Sequence, residues 1–495
     1  MATARINVPM NRVEGDLEVR TDIKDGIVSD AWCSGTMFRG FEGLLIGRGS
    51  YDGLVITPRV CGICSTSHLV AASGALDMIT GVKVPPDAVR IRNITQMAEH
   101  IQSDLRQYIF MFAVDFANPF YKDHPQFEEA VARYAPLKGV SAAGAIQETK
   151  KILEIIAIIG GQWPHSSFIV PGGIASIPSR SDLLQCSLLL RQYRAWYEKQ
   201  ILGCSIERWK EVNSSRAFEE WLEERREHRE SDLGFYSLFS RSIGLERTGK
   251  GVENFLSFGS LDLPEGMSAG KAGRESLIPA GFASGGLVDL FDQAKVAEHV
   301  ANSWYVDYGS GRHPFEGETR PYATGKESDK YSWAKAPRYD GHPAETGPLA
   351  EMVIAGNPLI TDLIAGNGPS TYVRELARII RPAELIPAME EWISEFNGDR
   401  RYYELPGEVP DGEGFGLTQA ARGALGHWVR IEDDKIQQYQ IITPSAWNFS
   451  PRDSLGRRGP VEEALSGTHI KDTSNPVELG HIVRSFDPCL VCTVH

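Results

Sequence analysis

The chain has 495 residues, enough for roughly two to four domain-sized units or for one large interlocked body that hides a site from water. Hydrophobic residues make up 42% and charged residues 23%, ordinary values for a globular protein. A formal charge of -14 argues against nucleic acid or an anionic membrane as the main partner.

Residues Met1 to Pro9 include Arg5 but lack the apolar run of a secretory signal. The most apolar stretch, Ile152 to Gly161, is short and contains Glu154, so no membrane span is predicted. These features predict a cytoplasmic chain that is not membrane-spanning, with any membrane association made through partners.

Leu17–Arg20 and Ile27–Asp30 alternate around Asp25-Gly26, which predicts a β-hairpin with a type I′ turn in the region of about residues 1–35. After Pro85-Pro86, apolar residues recur at Ile91, Ile94, Met97, Ile101, Leu105, Tyr108 and Phe112, the steps of a long amphipathic helix. Thr149–Ile159 and Ser181–Val212 read as further helices, with Ser181 as N-cap of the second. Phe218–Glu230 carries charges of both signs, read as a solvated helix before a docking face. Tyr308–Lys330 is rich in Gly, Pro and charge and reads as loop. Helices outnumber strands, so the predicted fold class is mainly α with small β elements (α+β).

Seven cysteines are too few for a disulfide framework at this length. Four form two C-x-x-C pairs, Cys61/Cys64 and Cys489/Cys492, while Cys33, Cys186 and Cys204 stand apart. The first pair precedes the mostly apolar run Leu69–Ile79; a helix there would put both thiols at its N-terminus, where the dipole favours thiolate. The second pair lies in the last seven residues beside His495, in a chain end that must be tied down. A structural zinc site draws its pairs from one small module, whereas these are separated by nearly the whole chain. A thioredoxin-like redox pair would need a βαβ unit that neither segment shows. Zinc and redox disulfide remain alternatives to a soft, redox-active transition metal. The three isolated cysteines form no ligand set for an iron–sulfur cluster, so electrons from such a metal would leave through another polypeptide.

The pattern Arg59-Val-Cys61-Gly-Ile-Cys64-Ser-Thr-Ser-His68, with Asp487-Pro-Cys489-Leu-Val-Cys492-Thr-Val-His495 at the end, resembles the paired signature of nickel–iron hydrogenase large subunits. Further blocks follow in the family's order: Asn11-Arg-Val-Glu-Gly15, Phe38-Arg-Gly-Phe-Glu42, Trp163-Pro-His165 and Tyr331–Tyr339 with Gly347-Pro-Leu-Ala350. After them come Arg422–Trp428 and Pro444–Asp453. The large subunit of respiratory complex I shares that fold but lacks the cysteine pairs.

The resemblance implies a hydrogenase large-subunit fold with a central helix bundle, its metal site built by both chain ends of one interlocked body, residues 1–495. It implies that Cys61, Cys64, Cys489 and Cys492 hold nickel and iron, Cys64 and Cys492 as bridges and Cys61 and Cys489 terminal on nickel. The iron would carry CN and CO installed by maturation proteins. Glu14 matches a proton-relay glutamate, Arg422 an arginine suspended over the open metal position, and Asp487 its ion-pair partner. Ser445 matches a hydrogen-bond donor to cyanide; Glu42, the Ile441 carbonyl and His495 match the ligands of Mg2+ or a similar ion. His68 and His165 belong to family blocks and read equally as packed, hydrogen-bonded histidines. The implied activity is heterolytic, reversible H2 oxidation, with electrons passed to an iron–sulfur small subunit that holds the clusters, in a higher oligomer. The opening segment and Cys-Gly-Ile-Cys are most similar to the uptake and H2-sensing branch; His68, where many sensors have Gln, favours uptake over the alternative of a slow H2 sensor. A zinc protein without activity is the rival from another class.

Some positions depart from the family pattern. Gln419-Ala-Ala421 stands where Glu-Ala-Pro is common, and Glu351 where Arg is usual. Gln102-Ser-Asp104 replaces a histidine-rich stretch with a nearby aspartate. Ile63 takes a position that sets gas-channel width, with Met111 expected opposite and Phe110 and Phe112 beside it.

Overall fold

Thr3–Pro9 (β1), Leu17–Lys24 (β2) and Ile27–Gly35 (β3) form an antiparallel sheet in that order in the computed structural model, which describes residues 3–264, 275–396 and 401–495. Asp25 and Gly26 make the predicted turn with φ of 51° and 80°, the two positive values of type I′. Alternation turns Leu17, Val19, Ile23, Val28 and Cys33 inwards, where they share a core with Leu479, Ile482, Val483 and Leu490. The N-terminal sheet therefore covers the segment leading to the last two cysteines. β1 was not foreseen; it is largely exposed and so lacks a clean apolar alternation.

Ser65–Thr80 (α1) starts directly after Cys64 and stops at Gly81, whose φ of 65° ends the helix in the left-handed region. Pro86–Arg106 (α2) has its proline in the first turn, where a fixed φ suits a helix start. Ile91, Ile94, Met97, Ile101 and Leu105 are all fully buried. The face across from them is buried too: Glu99, His100, Gln102, Ser103 and Asp104 look into the protein, not into water. α2 is thus the long amphipathic helix that periodicity predicts, placed centrally so that its polar side is buried as well. A π-helical turn, Gln107–Phe112, continues it. Phe112 continues the apolar face of Leu105 and Tyr108 and packs on Phe116 and Tyr236, while Phe110 and Met111 line a cavity. Phe112 is therefore not beside Met111 in the channel region as expected.

Val140–Gly160 (α3) begins upstream of Thr149, because Ser141, Ala142 and Ala145 pack closely without giving an apolar periodic signal. Arg180–Trp196 (α4) is capped by Ser179 in a capping box with Asp182, not by Ser181. Gly203, with φ of 75°, ends its π-helical extension, so the predicted run to Val212 is broken and Ile206–Trp209 is a separate short helix. Within 218–230 two short helices bury Phe218, Trp221 and His228 and turn their ion pairs outwards. Residues 308–330 contain one short 3-10 turn and are otherwise loop and isolated bridges.

Asn254–Asp262 (β4), Ser276–Ser284 (β5) and Leu287–Asp289 (β6) form a second antiparallel sheet. Thr371–Glu395 (α5), capped by Ser370, packs with α2, α3 and α4 in the main core. Gly412–Ala420 (β7), Gly423–Glu432 (β8) and Lys435–Ile442 (β9) form a meander whose first hairpin turn is Ala421-Arg422. β7 lies so close on α1 that a Cβ at Gly416 would stand 1.8 Å from the Ala71 carbonyl oxygen. Leu490–Thr493 (α6) is one short turn that starts at Cys489. The fold is mainly helical α+β, as the sequence predicts.

Candidate metal centre

The two C-x-x-C pairs meet in one buried cluster. Sγ atoms of Cys61 and Cys489 lie 3.7 Å apart, Cys64 and Cys492 3.4 Å, and Cys489 and Cys492 2.9 Å. A disulfide would need about 2.05 Å. Thiolates bound to one metal at about 2.3 Å stand roughly 3 to 4 Å from each other, so the donor set fits a soft metal. Cys33, Cys186 and Cys204 lie outside this cluster. Without a metal, hydrogen bonds from Cys489, Cys492 and Cys64, aided by Arg422, hold the Cys61 thiol well below its usual pKa. Cys64 is pushed well above it, first by its hydrogen bond with Cys489. Burial does the same to Cys492. Four thiols in one dry pocket cannot all ionise unless cations replace their protons.

Backbone and side-chain hydrogen bonds hold the chain end. The Leu490 N–H donates to the Glu14 carbonyl at 2.6 Å and the Glu14 N–H to the Pro488 carbonyl at 3.2 Å. Gly15, φ 81°, follows because a Cβ there would stand 2.8 Å from the Val491 nitrogen. Arg39 binds both cysteine segments: its guanidinium donates to the Val60 carbonyl and, at 3.2 Å, to those of Arg59 and Val491. The Cys489 N–H donates to Ser445 Oγ at 3.0 Å, leaving the Ser445 hydroxyl proton free for another acceptor. Thr443 Oγ1 donates to the Cys492 carbonyl at 3.2 Å.

Above the thiols, Arg422 Nε lies 2.9 Å from Asp487 Oδ1. Burial works against the Arg422 charge, but Asp487 and the thiols outweigh it and raise its pKa well above the ordinary value. Among the described residues its Nε and Nη1 make no well-aligned hydrogen bond. The tight turn Ala421-Arg422 holds the buried guanidinium there. Glu14 is half-buried; burial raises its carboxyl, Arg422 opposes this, and Cys61 and Asp487 add to it. Glu14, Arg422 and Ile63 line the same cavity, with Met111 and Phe110.

Two groups in the site had no role in the sequence reading. Glu99 on α2 accepts from the backbone N–H groups of Thr66 (2.8 Å) and Ser67 (3.0 Å) and from the Ser67 hydroxyl, so it caps the helix that begins behind Cys64. Burial lifts its carboxyl to about 7 against those bonds. Arg378 on α5 donates to Asp487 Oδ2 at 3.1 Å and lies 3.6 Å from Asp104. A second stripe of polar residues at 99, 102, 103, 106 and 107 was the available signal for Glu99. Arg378 and Arg381, one turn apart in an apolar helix, were the signal for the other.

His68 Nδ1 is 3.0 Å from His427 Nε2, and His427 Nδ1 is 2.9 Å from the Tyr439 hydroxyl. Burial lowers the His68 pKa to about 3, so it is neutral. His165 Nδ1 meets the Pro58 carbonyl at 2.9 Å, a packed, hydrogen-bonded histidine. Asp104, Glu351 and Ala421 all converge on Arg381. Gln419 donates to Ser257 Oγ at 2.9 Å and accepts on its carbonyl from Gln96.

Glu42 is buried, with Oε1 accepting from the Ile441 N–H (2.9 Å) and 3.4 Å from His495 Nε2. Oε2 accepts from Lys335 Nζ (2.9 Å) and from Thr319 Oγ1. Burial alone would raise the Glu42 carboxyl; Lys335 and His495 reverse this and hold it below the usual range. Nearby Glu298 Oε2 is buried with no hydrogen bond among the described residues, 3.6 Å from Lys335 Nζ.

A chain of this fold, with four thiols gathered under a buried arginine, belongs to a class of metal–thiolate enzymes. Comparison with known proteins gives the family. Residues 39–138 and 143–495 match the nickel-dependent hydrogenases, and the chain belongs to that family. It is 33% identical to the periplasmic [NiFeSe] hydrogenase large subunit of Desulfomicrobium baculatum, over 98% of this chain and 94% of that one. It is 29% identical to the uptake hydrogenase large subunit of Rhodobacter capsulatus, over 98% and 94%. The H2-activated [NiFeSe] hydrogenase structure from Dm. baculatum superposes with a TM-score of 0.83 at 32% identity, covering 100% of both chains. The protein is thus a hydrogenase large subunit, an oxidoreductase acting on H2 with a nickel–iron centre. The uptake and [NiFeSe] relatives do not favour the sensing alternative.

Proposed function

We propose that the four thiols are the ligands of the nickel–iron centre, with Cys64 and Cys492 bridging and Cys61 and Cys489 terminal on nickel. The observation that carries this reading is the convergence of two distant C-x-x-C pairs under Arg422 and beside Glu14. When bound, the centre supplies the redox change and Lewis acidity that split H2 into two protons and two electrons. Arg422, fixed by Asp487, sets a positive charge over the open side of the thiols and shapes the field there. Glu14 takes up the released proton: burial raises its carboxyl above the ordinary value and so favours its protonated form. The free hydroxyl proton of Ser445 suits a hydrogen bond to a cyanide on iron, which with CO would be installed by maturation proteins.

The second cation site is Glu42, the Ile441 carbonyl and His495, for Mg2+ or a similar ion. Support comes from the carboxylate oxygen and imidazole nitrogen 3.4 Å apart, and from the orphaned Glu298 oxygen, which suits a water on such an ion. The ion would tie the last residue to the chain start, in keeping with one interlocked body over 1–495.

Electrons leave to an iron–sulfur small subunit, since the described cysteines offer no cluster set of their own. Exposed Leu44, Ile46, Tyr51 and Val55, in the segment that leads to Cys61, suit a docking face for it. The unpaired cysteines suit a reducing compartment such as the cytoplasm. No single helix among the described residues is long and apolar enough to cross a membrane. The test is metal analysis with infrared spectroscopy of the chain purified with its partner. Nickel, iron and CN and CO bands are expected; zinc alone in the active preparation would overturn the assignment.

A further inference from the structure

Two arginines stand close in sequence to the carboxylates of the site. Arg12 lies two positions before Glu14, and Arg484 three before Asp487. Arg12 and Asp487 have backbone φ of 55° and 52°, left-handed values that a residue with a side chain keeps only when its surroundings hold it. Both arginines reach one carboxylate. Asp115, in the 3-10 turn Ala113–Ala117 after the π-helical extension of α2, accepts from Arg12 Nη2 on Oδ1 and from Arg484 Nη1 on Oδ2, the latter at 2.6 Å. Asp115 is 4% exposed and Arg484 5%.

The other donors of the pair bind the same segments. Arg12 Nη1 donates to the Met111 carbonyl at 2.6 Å. Arg484 Nη2 donates to Asn11 Oδ1 at 2.6 Å and to the Asn11 carbonyl at 3.1 Å. Asp115 therefore joins the segment carrying Glu14 to the helix Val477–Ser485, which leads to Asp487 and Cys489. Further along, the two segments meet again where Glu14 pairs with Pro488 and Leu490. Gly480 leaves room for the contact: a Cβ there would stand 2.4 Å from Arg484 Nη1 and 3.6 Å from Asp115 Oδ2.

Charge is the reason for a carboxylate at this point. Burial and the nearby Arg12 both work against the Arg484 charge, and Asp115 opposes them. Without that anion two like charges would face each other with little water to screen them, and they would part. Arg12 would then draw the Glu14 segment away from the one that Arg484 holds.

We propose that Asp115 is a positioning residue for proton transfer: by clamping Arg12 to Arg484 it fixes where the Glu14 carboxyl stands relative to Asp487 and Cys489. A misplacement of about 1 Å at a reacting group costs on the order of 100-fold in rate. The consequence for turnover rests on the role proposed above for Glu14; the clamp itself does not.

Asp115→Asn in the purified heteromeric enzyme tests this with two readouts. Hydrogen exchange at the Glu14 and Leu490 amides, which bond across the two segments, is expected to quicken at least about tenfold. With nickel content kept, kcat with an artificial electron acceptor is expected to fall by about 10- to 100-fold, while KM for H2 stays within about twofold. In a Glu14→Gln background the same change should cost no more than about twofold, because the carboxyl it positions is gone. Equal losses in both backgrounds or unchanged exchange overturn the proposal. Loss of nickel overturns it too, since Asp115 would then act in seating the metal. Gly480→Ala keeps every charge and crowds only the tip of Arg484; it is expected to reproduce the faster exchange and is read in the same way if Asp115→Asn does not fold. Failure of the Glu14 role would show instead as full turnover in Glu14→Gln alone, with exchange still deciding the clamp.

Discussion

Asp104 accepts two parallel hydrogen bonds from Arg381, at 2.7 and 2.8 Å, in the buried middle of an alternating run of charges. From Arg422 the run passes to Asp487 (2.9 Å), Arg378 (3.1 Å), Asp104 (3.6 Å), Arg381 and Glu351 (2.8 Å). Every member is nearly closed to solvent, so each charge relies on its neighbours. This accounts for Glu351: an arginine there would set a like charge beside Arg381. Asp104→Asn leaves Arg378 and Arg381 short of a buried anion and is expected to destabilise the fold by about 3–5 kcal/mol. Urea denaturation measures it, and a loss below about 1 kcal/mol would mean the run contributes little net stability.

Glu99 gives a pH signature. Its folded pKa, lifted by burial to about 7, exceeds its unfolded value near 4.5. The folded protein therefore holds this proton more tightly, so the stability Glu99 contributes is full below pH 4.5 and is lost as pH rises to about 7. The shift corresponds to on the order of 3 kcal/mol across that window. Glu99→Gln, which cannot titrate, is expected to flatten that part of the stability profile. Denaturation midpoints at a series of pH values check it; an unchanged slope between wild type and variant would assign the dependence to other groups.

The sequence made the cysteine chemistry readable because donor type and spacing are local properties, and the order of the flanking blocks tied both ends to one site. Asp25-Gly26 announced its hairpin for the same reason: a two-residue turn of that composition has few alternatives. What stayed hidden depends on distant partners. Glu99 acts on Thr66 and Ser67 from another helix, so the polar stripe around it signals a second buried face but not which helix it caps. The Arg378–Arg381 spacing marks a charged pair in an apolar helix, but its partner Asp487 lies more than a hundred residues away and only the fold brings the two together. Ser179 and Ser181 are equally good caps on paper; Asp182 at the third helical position decides between them. Phe112 stays out of the channel because it continues the apolar face that runs through Leu105 and Tyr108, and that face is packed into the aromatic core.

Gly15 is a sharp test of how the chain end is seated. A methyl group there would stand 2.8 Å from the Val491 nitrogen and 3.0 Å from Val491 Cγ1, at a backbone φ of 81° that disfavours any side chain. Gly15→Ala is expected to cost about 1–3 kcal/mol locally and to displace the Cys489–Cys492 segment. Nickel content of the purified variant should fall well below that of wild type, with Cys489 and Cys492 open to thiol reagents. Full nickel occupancy in Gly15→Ala would show that the segment can seat without this close approach.

Replacing Glu14 separates its carboxyl from its backbone role. Glu14→Gln keeps the main-chain hydrogen bonds to Pro488 and Leu490, so folding and nickel content should match wild type. Turnover with an artificial electron acceptor is expected to fall by about 100- to 10,000-fold, the usual effect of losing a positioned proton acceptor. Glu14→Asp, one methylene shorter, should recover part of the rate. A Gln variant within tenfold of wild type would move the proton acceptor elsewhere, with Arg422 the next group to test.

Ile63 offers a test of access. It lines the cavity with Met111 and Phe110, directly between the paired cysteines of the first segment. Ile63 packs against the cysteine cluster, and Ile63→Ala removes bulk there while leaving all four thiols in the chain. If the side chain imposes about 1 kcal/mol of steric barrier on a diatomic gas, entry should quicken by about fivefold. The onset of inactivation by O2, followed as loss of H2 oxidation after a brief exposure, should quicken by a similar factor, as should the onset of inhibition by CO. Because CO binds without oxidising the site, a faster onset with O2 alone would point to altered chemistry, and an unchanged onset with both gases would remove Ile63 as a constriction. A wider opening with unchanged nickel content and unchanged rate at saturating H2 would place Ile63 on the path of the gas and apart from the chemistry.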